Sequence, residues 1–192
     1  MSPSPGSTTE ISPGVFAPLA HATFRGIWIS GTVSNTGSLI QSVAAAWVMA
    51  QISTANDVAL VQTASFLPMA LLALPAGAIA DIYDRRKVQM LFLAFALLAA
   101  AAMTVISWLG MLTPWILLAL CFLVGCGGAL SAPARGASVG EQVPKALLAQ
   151  AVGLNNISYN LARSIGPAIG GVIVAAFGAT VAFCLNALSY LP

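Results

Sequence analysis

Long apolar runs, separated by short polar connectors, fill most of the chain. A membrane-spanning helix needs about 20 mostly apolar residues, and five runs reach about that length, at residues 26–50, 58–80, 88–109, 114–132 and 146–177. A sixth run begins near residue 180 and stops at residue 192. As a helix it would rise only about 20 Å, less than the roughly 30 Å hydrocarbon core of a bilayer. The pattern predicts an all-α, polytopic membrane helix bundle whose sixth helix is incomplete, and it indicates a truncated product or one part of a longer chain.

Two of the predicted helices carry polar side chains along one face. In helix one these are Ser34, Asn35, Ser38, Gln41 and Ser42. In helix five they are Asn156, Asn160 and Arg163. Residues at spacings of three and four share a helix face, so the two stripes predict an aqueous cavity between the helices. The alternative is that these groups hydrogen-bond neighbouring helices, as polar residues often do inside membranes.

The composition places the bundle in lipid. The chain is 59% hydrophobic and 6% charged, whereas a soluble domain carries about a quarter charged residues. The sequence offers no cluster of metal ligands, no nucleophile–base arrangement and no phosphate-binding loop, so neither an enzyme nor a metal or cofactor site is expected. A net charge of +2 gives no reason to expect nucleic acid as a partner. Residues 1–24, rich in Ser, Pro, Thr and Gly, are predicted to be a disordered cytoplasmic tail.

Basic residues alternate between the connectors. Arg25 precedes helix one, residues 85–87 lie between helices two and three, and Arg135 and Lys145 lie between helices four and five. Because positively charged loops stay in the cytoplasm, we expect a cytoplasmic N-terminus and a multi-pass protein of the cell membrane (inner or plasma). The remaining base, Arg163, lies within helix five. An arginine there costs roughly 2.5–3.5 kcal/mol to insert, so it needs a partner or water.

Five of the twelve Asp, Glu, Lys and Arg residues lie in one connector, between residues 77 and 87. Asp81 stands at the predicted C-terminal end of helix two, where the helix dipole disfavours a carboxylate. Arg85 is four residues further on, so an Asp81–Arg85 pair is expected if the turn is compact. The alternative is a connector that only anchors the topology.

The sequence Gly77-x-x-x-Asp81-x-x-Asp84-Arg85-Arg86-Lys87 resembles the loop motif between helices two and three of the major facilitator superfamily. Ile82 stands where that family usually has a basic residue, and Asp84 where it usually has glycine. Two further stretches are similar to the drug- and siderophore-exporter branch, which includes enterobactin exporters. They are Ala132-Pro-Ala-Arg135-Gly-Ala137 and the helix-five motif with Gly166, Pro167, Gly170 and Gly171. The resemblance extends from about Phe24 to the end of the sequence.

The resemblance implies the N-terminal six-helix half of a secondary active transporter. The implied activity is proton-coupled efflux of small organic molecules, drugs or siderophores, by alternating access between two halves. Polar cavity residues would contact substrate, and Asp81 would latch the connector against a C-terminal half that is missing here. From its position in the membrane, Arg163 is expected to bind anionic substrate, to pair with an acid of that half or to gate; the alternative is that it snorkels or only forms structural hydrogen bonds. The expected partners are the lipid bilayer, a small-molecule substrate, protons and that second half. The alternative is a truncated or degenerate half that does not transport and needs another chain to function.

Overall fold

A computed structural model describes residues 14–191 of the chain. Within this range the backbone forms six α-helices and no strand, which confirms the all-α helix bundle. The helices are α1 (Ala22–Ile52), α2 (Ala55–Ile82), α3 (Arg85–Trp108), α4 (Pro114–Gln142), α5 (Leu148–Phe177) and α6 (Ala179–Ser189). Short 3₁₀ turns at Ala17–Ala20 and Lys145–Leu147 precede α1 and α5.

The start of the chain is more ordered than the sequence indicated. Residues 1–13 of the predicted tail lie outside the described residues, but the 3₁₀ turn begins at Ala17 and α1 at Ala22. Part of the predicted tail thus forms this turn and the first residues of α1. The physical reason is Phe24, which is 1% exposed and packs in an apolar cluster with Val139 and Leu154.

Helix α4 is longer than predicted. The predicted span ended at residue 132, whereas α4 continues through Pro133 to Gln142. The extension persists because Ala134 and Val139 are buried against neighbouring helices, and packing of this kind allows a proline inside a membrane helix. Arg135, which the sequence pattern placed in a connector, therefore lies inside α4.

Four described helices, α2 to α5, are long and apolar enough to cross a membrane. Helix α1 has 31 residues, which is also enough to span a bilayer. Its polar stripe lowers its mean hydropathy, so it is not among the four. Helix α6 is apolar but has only 11 described residues.

The largest apolar cluster of the bundle lies at one end. Residues from all six helices form this cluster, which includes Met49, Met103, Leu117 and Phe183. This cluster lies where α1 ends and α4 begins. At the other end the chain places Arg25, Arg85, Arg86, Lys87 and Lys145, and we refer to it as the basic end. The two ends therefore differ in both packing and charge.

Small residues bring the helices close together. A Cβ added to Gly125 of α4 would lie 2.5 Å from the Ser65 carbonyl oxygen of α2. A Cβ on Gly37 of α1 would lie 2.5 Å from the Ser189 hydroxyl oxygen of α6. Such approaches are typical of helix packing in membranes, where van der Waals contact replaces the hydrophobic drive.

Candidate functional site

A cavity of about 480 Å³ opens among α1, α4 and α5 at the basic end of the bundle. Helix α1 contributes the stripe from Phe24 to Ser38, and α4 contributes residues from Gly128 to Gln142. Helix α5 adds Asn155, Asn156, Ser158 and Tyr159, while Leu93 of α3 and Tyr190 after α6 complete the wall. The largest apolar cluster lies beyond the cavity, at the opposite end of the bundle.

Four of the residues in the predicted stripes line this space, namely Ser34, Asn35, Ser38 and Asn156. The Ser38 hydroxyl donates to the Ser34 carbonyl oxygen at 3.0 Å, which leaves it to accept a hydrogen bond from the Tyr190 hydroxyl at 3.1 Å. Tyr190 was not anticipated from the sequence. A tyrosine three residues from the chain end shows no spacing relationship to helix one, and only the packing of α6 on α1 brings the two together.

The other predicted cavity residues lie elsewhere. Gln41 is buried and accepts a hydrogen bond from the Asn186 side chain of α6. Asn160 is exposed and donates to the Asn156 carbonyl oxygen at 2.9 Å. Arg163 is exposed, and none of the hydrogen bonds or ion pairs of residues 14–191 involves its side chain. Arg163 follows Asn156 by seven residues, about two helical turns, so it continues the same face of α5 toward the middle of that helix.

Among the described residues that line the cavity, Arg135 alone carries a charge. Its Nη2 donates to the Ser131 hydroxyl oxygen at 3.3 Å. One feature of the sequence indicates that Arg135 lies within a helix. Val139 and Val143 repeat at the helical spacing of four after Arg135, which indicates that the helix continues. Within residues 14–191 no group of three or more His, Cys, Asp or Glu residues could hold a metal ion.

The seam between α1 and α5 forms one wall of the cavity. Trp28 donates from Nε1 to the Leu154 carbonyl oxygen at 3.0 Å. The hydroxyl groups of Thr32 and Ser158 lie 2.6 Å apart. These cross-helix bonds hold α5 against α1 on the side where the cavity opens. The sequence pattern did not indicate these four residues, because pairing over 126 positions has no local signature.

The helix-five motif divides between two faces. Gly166 and Gly170 are buried against α1, where an added Cβ would lie 2.9 Å from Leu39 Cβ and 3.1 Å from Ile40 Cα respectively. Pro167 and Gly171 are exposed on the outer side of α5, and a Cβ on Gly171 would meet nothing within 4 Å. Half of the motif thus serves packing within this unit, and half faces outward.

The charged connector is short, and its ion pair is not the one that was expected. Asp81 is exposed in the last turn of α2, and the predicted Asp81–Arg85 pair is not formed. Arg85 Nη1 instead lies 3.0 Å from Glu141 Oε1 at the end of α4. The reason is the extension of α4 by two and a half turns, which carries Glu141 to the start of α3. Both side chains are well exposed, at 40% and 68%, so the pair adds little stability.

Asp84 has a definite local role. Its carboxylate accepts a hydrogen bond from the Lys87 backbone N–H at 3.0 Å and caps the N-terminus of α3. This accounts physically for an aspartate where the resembled motif usually has glycine, since aspartate is among the preferred N-cap residues. Arg86 and Lys87 are exposed. A Cβ on Gly77 would meet nothing within 4 Å, so no neighbour within the described chain requires glycine there.

Comparison with known proteins identifies the family. A family model described as transmembrane secretion effector, within the major facilitator superfamily, matches residues 13–192. The chain belongs to this family. Its resemblance in the connector and in helix five therefore reflects membership in the superfamily.

The chain is similar to curated members of the superfamily. It is 31% identical over 160 residues to the uncharacterized MFS-type transporter YfiS of Bacillus subtilis, covering 82% of this chain and 37% of that protein. It is 30% identical to the staphyloferrin A transporter of Staphylococcus aureus over 80% of this chain and 39% of that protein. It is 28% identical to the multidrug efflux pump Tap of Mycobacterium tuberculosis over 82% of this chain and 39% of that protein. The chain thus spans well under half the length of these relatives. No solved structure matches it significantly.

Proposed function

We propose that this six-helix unit is the N-terminal half of a secondary active transporter that exports small organic molecules. The observation that carries the proposal is the partly polar cavity of about 480 Å³ at the basic end, in a bundle whose largest apolar cluster lies at its other end. A volume of this size lies within the range of ligand pockets. One relative is named as a multidrug efflux pump, and another as a transporter of the siderophore staphyloferrin A. Both names support a small organic substrate.

Alternating access accounts for the asymmetry between the two ends. In this arrangement the cavity is open at the basic end and blocked beyond it by the cluster around Met49 and Phe183. The positive-inside rule places the basic end in the cytoplasm, together with the N-terminus. The structure therefore corresponds, in this proposal, to the state that takes up substrate from the cytoplasm.

A second half completes the transporter. Asn160, Arg163, Pro167 and Gly171 lie exposed on α5, and in this proposal they face the second half. Arg163 sits near the middle of α5, where an unpartnered guanidinium is costly in lipid. An acidic group or water at the interface between halves would offset that cost. Asp81, exposed at the end of α2, is free to latch against the second half.

Proton antiport is the proposed driving force. None of the described cavity-lining residues is Asp, Glu or His. The group that exchanges protons is accordingly expected in the second half. This is consistent with relatives that are more than twice as long as this chain.

The test compares strains of the source organism that lack the gene or carry it. Accumulation of a panel of drugs and siderophores is measured with and without a proton uncoupler. We expect lower accumulation in the strain that carries the gene, and loss of the difference when the uncoupler is added. Equal accumulation of every compound in the two strains would contradict export, and an uncoupler-resistant difference would contradict proton coupling.

Two glycines of α4 provide matched variants for this assay. Gly128 lines the cavity, and Gly140 on the same helix does not, although a Cβ at either position would meet nothing within 4 Å. Gly128→Leu is expected to fill the cavity and abolish export, whereas Gly140→Leu should export normally. Equal export by the two variants at equal membrane abundance would exclude the cavity as the transport site.

A further inference from the structure

Within residues 14–191, the cavity contains a cation without a counter-ion. Arg135 lines the wall and makes one side-chain hydrogen bond, to Ser131, among the described residues. A guanidinium has five N–H donors in a planar fork that suits carboxylate and phosphate groups. Most of its donor capacity is therefore not used by the described residues.

The acids of the described chain do not neutralise Arg135. They are Asp57, Asp81, Asp84 and Glu141, and none of them lines the cavity. Glu141 pairs with Arg85 instead, while Asp57 and Asp84 cap the starts of α2 and α3. The charge of Arg135 is consequently left for a ligand.

The position of Arg135 makes an unpaired charge expensive. It lies seven residues before the end of α4, about 10 Å along the helix axis, and its side chain is only partly exposed. Removing a charged group from water is unfavourable unless it is paired and hydrogen-bonded. An anion placed in the cavity would supply that pairing, and the side-chain amides of Asn35 and Asn156 on the surrounding walls supply further hydrogen-bond donors.

We propose that the cavity selects organic anions, with Arg135 binding the carboxylate or similar acidic group of the ligand. This inference rests on the proposed function and adds the substrate class to it. The volume of about 480 Å³ is far larger than an inorganic ion needs. The apolar side chains of Phe24, Ile27 and Leu93 in the same wall suit the carbon skeleton of such a ligand.

An acidic group at this depth has two sources, a soluble compound or the headgroup of an anionic lipid. The lining contributed by helices α1, α4 and α5 suits the acidic group of either source. The experiment therefore varies the lipid as well as the ligand.

The test uses the protein purified into lipid nanodiscs and three fluorescent ligands that share one dansyl group. Dansylglycine carries a carboxylate, dansylglycinamide is neutral, and dansylcadaverine is cationic. Affinities are measured by fluorescence titration, in phosphatidylcholine alone and with added phosphatidylglycerol. We expect dansylglycine to bind about tenfold or more tightly than the amide, since a hydrogen bond to a charged group adds that much. The cation should bind more weakly than the amide.

Three variants assign the preference to Arg135. Arg135→Gln should bind dansylglycine and its amide equally, with amide affinity unchanged. Arg135→Lys should keep part of the preference, because it retains the charge but not the fork. Arg25→Gln, which removes an exposed arginine outside the cavity wall, should behave as the parent protein. Each variant is used only if it elutes as a monodisperse peak, and Arg135→Lys provides the readout if Arg135→Gln does not fold.

Each of the other possible results of this experiment would contradict one specific part of the proposal. Binding of the amide or the cation as tightly as dansylglycine would overturn the anion preference and leave the transporter proposal intact. A carboxylate preference that survives in Arg135→Gln would overturn the role of Arg135. Loss of dansylglycine binding when phosphatidylglycerol is added would assign the site to lipid and overturn a soluble anionic substrate. Failure of all three ligands to bind would contradict a small-molecule cavity, and with it both proposals.

Discussion

The contact between α1 and α5 can be tested with a single methyl group. A Cβ at Gly166 would lie 2.9 Å from Leu39 Cβ, whereas carbon atoms in good contact are about 3.5–4.0 Å apart. Leu39 Cβ is attached directly to the α1 backbone and cannot rotate away. Gly166→Ala therefore forces the two helices apart by about 0.6 Å or more.

The expected effect follows from two opposing terms. A radial gap of 0.5–1 Å forfeits roughly a quarter to a half of the contact energy along the seam, and overpacking typically costs about 1–3 kcal/mol. Replacing glycine by alanine inside a helix contributes about 1 kcal/mol in the opposite direction. Gly171→Ala is the matched control, because it has the same propensity gain and no atom within 4 Å of its Cβ.

We expect Gly166→Ala to be less stable than Gly171→Ala by about 1–3 kcal/mol. The assay is unfolding of the purified chain in mixed micelles with increasing SDS, followed by circular dichroism. Gly171→Ala should be as stable as the parent protein or slightly more stable. Equal stability of the two variants would refute the close α1–α5 packing on which this wall of the cavity depends.

Three other predictions concern the connector and the bundle interior. Asp84→Ala should destabilise the protein by about 1 kcal/mol through loss of the α3 N-cap, whereas Asp81→Ala, at a helix end that disfavours a carboxylate, should be neutral or slightly stabilising in the same assay. Asn186→Leu should cost about 0.6–1.7 kcal/mol by leaving Gln41 without its partner, and adding Gln41→Leu should recover part of that loss in a double-mutant cycle. Glu141→Gln should change stability by less than about 1 kcal/mol, because the exposed ion pair of Glu141 is screened by water; a larger loss on unfolding would show that this pair is more strongly coupled than its exposure indicates.

Apolar runs and basic connectors predicted much of the fold. They identified the helices because length and hydropathy are local properties, and lipid forces every backbone group into an internal hydrogen bond. Helix α4 shows where this fails. Pro133 and Arg135 resemble a connector in sequence, yet burial of Ala134 and Val139 keeps the segment helical. Tertiary packing determines where α4 ends, and local composition alone does not predict that position.

The candidate site was predicted in part. The stripe on α1 indicated Asn35 and Ser38, because three- and four-residue spacing reveals a shared face. It could not separate these cavity residues from Gln41, whose partner Asn186 is 145 positions away. Arg135 was missed as a cavity residue for the same reason that α4 was predicted too short. Distances between helices depend on the fold, and they cannot be predicted from the spacing of residues within one helix.

The central claim is that the basic end opens into a water-filled cavity that faces the cytoplasm. The most direct test replaces the three native cysteines and introduces single cysteines at Asn35, Asn156 or Ala45. A negatively charged, membrane-impermeant methanethiosulfonate is added to inside-out vesicles, and labelling rates are measured. Asn35→Cys and Asn156→Cys, on the cavity wall, should react rapidly, while Ala45→Cys, in the apolar cluster at the other end, should not. Labelling of the two cavity positions no faster than Ala45→Cys would contradict the claim.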